Sequence, residues 1–230
     1  MNNKVLIVDD EEDIRQFTKI NLEFAGFEII EAGSAEEGIK LCEEKNPAIV
    51  ILDIMLPGMD GFEACKILRE KYPKLGIIMV TAKSQDVDKI LGLQQGTDDY
   101  IIKPFNPQEL VLRIKSLIRR IDISNEENEN NSEILRDGNF KLDLYSRSFY
   151  KDDVEIDVTP TEFIILKNFF EHKGKALTRE EIMKMTWVEN YNRDAKIVDV
   201  NIRRIRAKIE ENPAKPEYIE TVWGTGYRWR

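Results

Sequence analysis

Histidine occurs once in the 230 residues, at His172, and cysteine twice, at Cys42 and Cys65. A lone histidine with no matching serine and acid argues against a Ser/His/Asp hydrolase. His172 closes a helix-patterned run and reads as a helix-end residue rather than a catalyst. The cysteines match no metal-site spacing, and a reduced cytoplasmic chain is the natural reading. Long apolar runs are missing as well. Nothing approaches the ~20 apolar residues of a membrane span, and "MNNKVLIVDDEED" offers too short an apolar stretch for a secretory core. No internal repeat is evident, and no D-x-[DN]-x-[DN]-G calcium loop occurs. What is present, 42% apolar and 33% charged residues, suits a soluble globular chain of one large or two ordinary domains.

The formal net charge of −9 argues against a nucleic-acid partner until it is divided along the chain. Residues 1–121 hold 16 Lys+Arg against 21 Asp+Glu. Residues 122–133, "DISNEENENNSE", hold five acids and no base, while 134–230 hold 18 bases against 17 acids. The acidity therefore belongs to the first half and the joint. With almost nothing apolar to bury, the joint reads as a flexible acidic linker between domains 1–121 and 134–230.

The first half alternates short apolar runs, 5–8, 27–30, 48–52, 76–80 and 99–102, with amphipathic stretches near 12–25, 35–45, 61–71, 86–95 and 107–120. Five strands each followed by a helix predict an α/β, doubly wound five-stranded parallel sheet. Ligands of such sheets sit at the carboxyl ends of the strands. Asp9 and Asp10 end the first strand and Asp53 the third, so three carboxylates should meet at one rim. They repel one another unless a cation joins them, and Mg²⁺, with its hard oxygen ligands, fits. Thr81 and Lys103 end the fourth and fifth strands. Nucleophilic carboxylate, Mg²⁺, hydroxyl and ammonium are what a phosphoryl group needs, with Asp53 as phosphoacceptor. Any one of these residues alone is an ordinary surface group; five at matching strand ends argue for a site. A haloacid-dehalogenase-like phosphatase wants a second acid two residues after the nucleophile, where this chain has Met55.

In the second half, "NFKLDLYSRSFYKDDVEIDV" predicts short antiparallel strands, helical patterns follow at 160–171, 179–187 and 194–210, and "YIETVWGTGYRW" closes as a hairpin. On the last helix Val198, Ile202, Ile205 and Ile209 form one apolar stripe. The opposite face carries Arg193, Lys196, Arg203 and Arg204, flanked by Arg206 and Lys208. Val200, off the stripe, suits a thymine methyl, and Asn201 suits adenine. Arg228 and Arg230 on the hairpin suit phosphates. A solvated cationic helix would share this pattern; the hairpin and the two off-stripe residues favour a DNA reader.

"LIVDDEED", "ILDIMLPGMDGFE", "VTAK" and "GTDDYIIKPF" resemble the receiver domain of bacterial response regulators, a flavodoxin-like fold. "VTPTEFIIL", "LTREEI", "VDVNIRRIRAKI" and "VWGTGYRW" resemble the α+β winged helix-turn-helix domain of the OmpR/PhoB family. The resemblance implies that a cognate histidine kinase phosphorylates Asp53, and that Asp10, Asp53 and the Met55 carbonyl hold Mg²⁺ with Asp9 in support. It implies that Thr81 and Lys103 bind the phosphoryl oxygens, that Tyr100 and Thr81 move together as a switch, that Lys103–Pro104 is cis, and that Met55 and Lys83 tune phosphoryl lifetime. The face 85–120 would form a homodimer, with Lys89–Glu109 and Asp98 or Asp99 with Arg113 as cross-dimer pairs. Double-stranded promoter DNA with direct-repeat sites would be the target, and the loop 188–195 corresponds to a segment that contacts RNA polymerase in some relatives. Thr97, Asn201 and Trp223 depart from the Ala, His and Arg common at those positions. The alternative is a DNA-binding regulator of the same fold that works without phosphate. Turnover as an enzyme has no support in these residues.

Overall fold

Short strands buried on both faces dictate the first half of the molecule. The computed structural model describes residues 3–82, 96–122, 134–187 and 195–230. Contacts divide the chain into two units, Met1–Ile121 and Asp122–Arg230. In the first, β1 (Lys4–Val8), β2 (Glu28–Ala32), β3 (Ile49–Asp53), β4 (Gly76–Thr81) and β5 (Asp99–Ile102) pair in parallel in the order β2-β1-β3-β4-β5. The interior strands β3 and β4 are buried along their whole length, which is why they are nearly all aliphatic. The order reverses between β1 and β3, opening a crevice at their carboxyl ends.

Helices α1 (Glu12–Phe24), α2 (Ala35–Lys45), α3 (Gly61–Lys71) and α4 (Pro107–Asp122) accompany the strands. Ser34 and Asp60 start α2 and α3 by accepting hydrogen bonds from Glu37 N and Glu63 N. Leu110, Ile114 and Leu117 of α4 join Ile7, Ile51, Ile78 and Val80 in one core. The helical pattern expected at 86–95 lies outside the described residues, as does most of the acidic joint.

In the second unit, β6 (Ile134–Asp137), β7 (Phe140–Asp143), β8 (Ser148–Lys151) and β9 (Val154–Ile156) form an antiparallel meander. Helices α5 (Pro160–Glu171), α6 (Arg179–Thr186) and α7 (Lys196–Ile209) follow, with β10 (Leu177–Thr178), β11 (Ile219–Val222) and β12 (Gly226–Trp229) in a second sheet, ordered β10-β12-β11. Both α5 and α6 open with a capping box, Thr159 with Glu162 and Thr178 with Glu181; the sequence signs are "TPTE" and "TREE". Phe140 meets Trp229 edge-on at 5.2 Å and Tyr218 at 4.7 Å, joining the meander to the hairpin. His172 caps the end of α5.

Candidate functional site

Strand ends place the acids. Asp9 follows β1, Asp53 is the last residue of β3, and Asp9, Asp10 and Asp53 have carboxylate oxygens within 4.8 Å of one another. Asp9 and Asp53 are buried while Asp10 is exposed. Lys103, directly after β5, reaches across the rim: its Nζ lies 2.8 Å from Asp9 Oδ2, donates to Asp53 Oδ2, and lies 3.3 Å from Glu11 Oε1. The Lys103–Pro104 peptide is cis. Main-chain donors take up the other carboxylate oxygens, Met55 N to Asp53 Oδ1 at 2.9 Å and Glu11 N to Asp9 Oδ1 at 3.0 Å.

Burial pushes the Asp9 carboxyl above its ordinary range; the hydrogen bond and charge of Lys103 pull it back only in part, and the Asp53 charge adds to the rise. Burial pulls the Lys103 ammonium down, but hydrogen bonds to Asp53 and Asp9 outweigh it and hold the ammonium above its usual value. Among the described residues the Lys103 ammonium, with Arg15 Nη1 at 2.7 Å from the Asp9 carbonyl, faces four acids, Asp9, Asp10, Glu11 and Asp53, and such crowding of carboxylates favours a further cation. Hard oxygen donors, one of them exposed, suit Mg²⁺, which keeps several waters and takes one or two carboxylates. Thr81, at the end of β4, and Tyr100, on β5, are buried, and Met55 is about half exposed beside the rim. Lys83 lies outside the described residues.

One contributor has a faint sequence signal. In "MDGFE" the glycine looks like an ordinary turn residue, yet a Cβ on Gly61 would stand 2.1 Å from Asp53 O and 2.8 Å from Ile54 Cα. The first turn of α3 is pressed against the backbone that presents Asp53. Gly61→Ala should displace Asp53, destabilise the receiver by about 1–3 kcal/mol as overpacking does, and slow phosphorylation by small-molecule donors; a denaturation series with a parallel labelling time course checks both. Glu11 is the other residue missed, the third acid of "DDEED".

The expected dimer pairs are differently engaged. Asp98 and Asp99 are fully buried. Arg113 Nη1 donates to Asp99 Oδ1 of its own chain at 2.9 Å, and its Nε donates to Glu109 at 3.0 Å. Asp98 Oδ2 accepts from Arg69 Nη2 at 2.9 Å and from Ile77 N at 3.0 Å. Within the chain Asp98, just before β5, and Asp99, its first residue, thus tie the start of that strand to α3 and to α4. Lys89, the expected partner of Glu109, lies outside the described residues. What this side of α4 exposes is Leu112, Lys115 and Arg119, with Ile102 on β5.

Helix α7 also needs correction. Its apolar stripe is buried as expected, and Lys196 and Arg203 are exposed with Val200 half-buried. Asn201 and Arg204 are buried, forming with Ile197 a second inward row beside the first. Asn201 Nδ2 donates back to Ile197 O at 2.8 Å, so this residue is not placed to read adenine. The helix is covered over a wider arc than one stripe implies. Arg206 donates to Ile219 O and to Thr221 Oγ1 at 3.0 Å, tying α7 to β11. Lys208 Nζ donates to Asp157 O and to the Glu162 carboxylate at the start of α5. Arg228 pairs with Glu220 on the neighbouring strand and keeps a partly exposed side chain. Asp199 accepts from Arg179 Nε at 2.7 Å and from Tyr227 Oη at 2.8 Å, a second tie between α7 and the hairpin.

One unit thus carries a rim of acids around a lysine, and the other a helix with exposed cations tied to a hairpin. The family description "response regulator receiver domain" matches residues 5–115, and "transcriptional regulatory protein, C terminal" matches 153–229. The chain belongs to the OmpR/PhoB-type response regulators of two-component systems, with a DNA-binding domain. The alkaline phosphatase synthesis transcriptional regulatory protein PhoP of Bacillus subtilis (strain 168) is 40% identical over 232 residues, covering 99% of this chain and 97% of the relative. The structure of DrrB, a Thermotoga maritima OmpR/PhoB homologue, is 31% identical and covers 100% of this chain and 99% of its own, with a TM-score of 0.51. A structure of a RitR mutant, 21% identical, covers 99% of both chains at a TM-score of 0.78 and is a likeness of fold alone.

Proposed function

We propose that Asp53 takes a phosphoryl group from the phosphohistidine of a cognate histidine kinase, and that this favours a receiver dimer seating two winged helices on direct-repeat promoter sites. The observation that supports it best is the Lys103 ammonium bridging Asp9 and Asp53 inside a cluster of acids at one sheet edge. An Asp53 carboxylate oxygen forms the new P–O bond as the P–N bond to imidazole breaks, the imidazole leaving with a proton from solvent. Asp10, Asp53 and the Met55 carbonyl would hold Mg²⁺, with Asp9 in support; when bound, the ion supplies positive charge at the phosphoryl oxygens. Lys103 then exchanges its Asp53 contact for a phosphoryl oxygen, and the Thr81 hydroxyl donates to another. Tyr100, on the strand beside Thr81, follows that movement as the switch.

Phe17 and Ile20 are exposed on α1, which begins at the rim, and offer apolar ground to a protein donor. Ile102, Leu112, Lys115 and Arg119 are the surface we assign to the receiver dimer, in place of the internally paired acids. Lys196, Val200, Arg203 and Arg228 are assigned to DNA, the cations to phosphates and Val200 to a base edge. No described helix is long and apolar enough to cross a membrane, and a cytoplasmic site, where kinase and promoter DNA are both at hand, fits the reading. The polymerase-contacting loop lies outside the described residues except for Ala195.

Intact-mass measurement after treatment with acetyl phosphate and Mg²⁺ tests the first step. Wild type should gain one phosphoryl group and Asp53→Asn none. Equal labelling of both proteins would move the acceptor elsewhere. Labelling of neither, with kinase-driven transfer also absent, would leave the phosphate-independent regulator.

A further inference from the structure

Helix α1 starts without the side-chain cap that starts α2 and α3. Glu11 is its N-cap residue, yet the Glu11 side chain makes no capping hydrogen bond to the first turn. The turn leading into α1, Asp9-Asp10-Glu11, carries three of the rim's acids, so its orientation has to be fixed by something else. A side chain from within the helix does so. Arg15 Nη1 donates to the main-chain Asp9 O at 2.7 Å. Arg15 Nε lies 3.8 Å from Glu31 Oε2 on β2, a carboxylate that also accepts from Lys19 Nζ. The Arg15 and Glu31 side chains are largely buried, and together they form a strut from the edge strand to the turn.

The residue this strut aims is Asp10. The Asp9 carbonyl and the Asp10 N–H belong to one planar peptide, so fixing the carbonyl fixes the plane from which Asp10 departs. On its other side, Glu11 N donates to Asp9 Oδ1 at 3.0 Å and fixes the next plane. Asp10 is exposed, and among the described residues its carboxylate has no donor, so its direction comes from its backbone alone. Asp53 is held differently, by Met55 N and the Lys103 ammonium.

We infer that Arg15 is a positioning residue for the divalent cation: it aims Asp10 into the rim and so sets the affinity of the site for Mg²⁺. The inference rests on the Mg²⁺ reading of the rim. Charge alone argues for the opposite effect, because a cation near the acids repels Mg²⁺ and its removal strengthens binding. Positioning makes removal weaken binding, since outer contacts that orient a metal ligand are worth about 10–100-fold in affinity. The sign of the change therefore separates the two roles.

The test titrates Mg²⁺ into the full chain by calorimetry, with thermal unfolding in the absence of Mg²⁺ to verify that each variant is folded. Arg15→Ala should bind Mg²⁺ roughly tenfold more weakly than wild type. Arg15→Lys keeps the charge but not the fork that spans Asp9 O and Glu31, and should fall between the two. Labelling by acetyl phosphate at saturating Mg²⁺ should stay within about twofold of wild type, because Asp53 and Lys103 keep their contacts. Mg²⁺ bound by Arg15→Ala as tightly as by wild type, or more tightly, would overturn the inference and leave the metal reading standing. If Arg15→Ala does not fold, Arg15→Lys with wild-type affinity would overturn it equally. A labelling rate far below wild type at saturating Mg²⁺ would put the effect on Asp53 and overturn it as well. Folded wild type that binds no Mg²⁺ would overturn the metal reading and the inference together.

Discussion

Arg69→Ala should destabilise the receiver by about 3–5 kcal/mol, the range seen when one partner of a buried ion pair is removed. Arg69 Nε and Nη2 donate to Gly96 O at 3.0 and 2.7 Å, Nη1 donates to Pro73 O and Leu75 O at 2.6 and 2.7 Å, and Nη2 donates to Asp98 at 2.9 Å. One guanidinium therefore holds together the end of α3, the entry to β4 and the entry to β5. Its loss takes the cation from a fully buried carboxylate, which keeps its contact with Ile77 N. Lysine at this position keeps the charge without the fork of donors and should recover only part of the loss. The three tryptophans lie at 187, 223 and 229. Receiver unfolding should therefore appear in far-UV circular dichroism as an earlier transition, while tryptophan emission stays at the wild-type midpoint. Arg69→Ala/Asp98→Asn should be more stable than Arg69→Ala alone, because the amide keeps the Ile77 contact without the stranded charge. A double variant no better than the single would refute the stranded-charge account.

The legible parts of this molecule are those whose physics is local. Continuous aliphatic runs at 48–52 and 76–80 mark strands buried on both faces, and β3 and β4 lie within a residue or two of them. Strand ends then place Asp9, Asp53, Thr81 and Lys103 at one edge, since a parallel sheet aligns its carboxyl ends. What is not legible depends on which neighbour covers a side chain. Asn201 sits off the apolar stripe and reads as exposed, yet it is buried, because α7 is packed over two adjacent rows. Asp99 and Arg113 have the right types for a cross-subunit pair and satisfy each other within one chain. A sequence shows that a charge needs a partner; only packing shows which partner it finds. Gly61 is the same lesson at the backbone level, a residue defined by the carbonyl pressed against it.

Lys103→Met should cost the receiver about 3–5 kcal/mol in the absence of divalent cations, because it strips the cation from the buried acids Asp9 and Asp53 while keeping the aliphatic stem. Added Mg²⁺ should return more stability to the variant than to wild type. The ammonium and the ion seek the same carboxylate oxygens, so removing one strengthens the apparent binding of the other. Asp9→Asn should act in the opposite sense. In the folded chain burial raises the Asp9 pKa above its ordinary value of 3.8, despite Lys103. The folded state therefore holds this proton more tightly than the unfolded chain does, and the ionised form is the destabilising one. That cost is fully present above the folded pKa and is relieved as pH falls through it toward 3.8. The unfolding midpoint of metal-free Asp9→Asn should exceed that of wild type near neutrality, and the gap should narrow as pH falls through the acid range. Lys103 adds no slope there, since its raised pKa makes its contribution vanish only in strong base. Asp9→Asn should also blunt the stabilisation by Mg²⁺, exchanging cation binding for intrinsic stability. A wild-type midpoint equal to that of Asp9→Asn at every pH would mean that Lys103 already compensates the rim in full. The site would then hold no stored repulsion for the ion or the phosphoryl group to draw on.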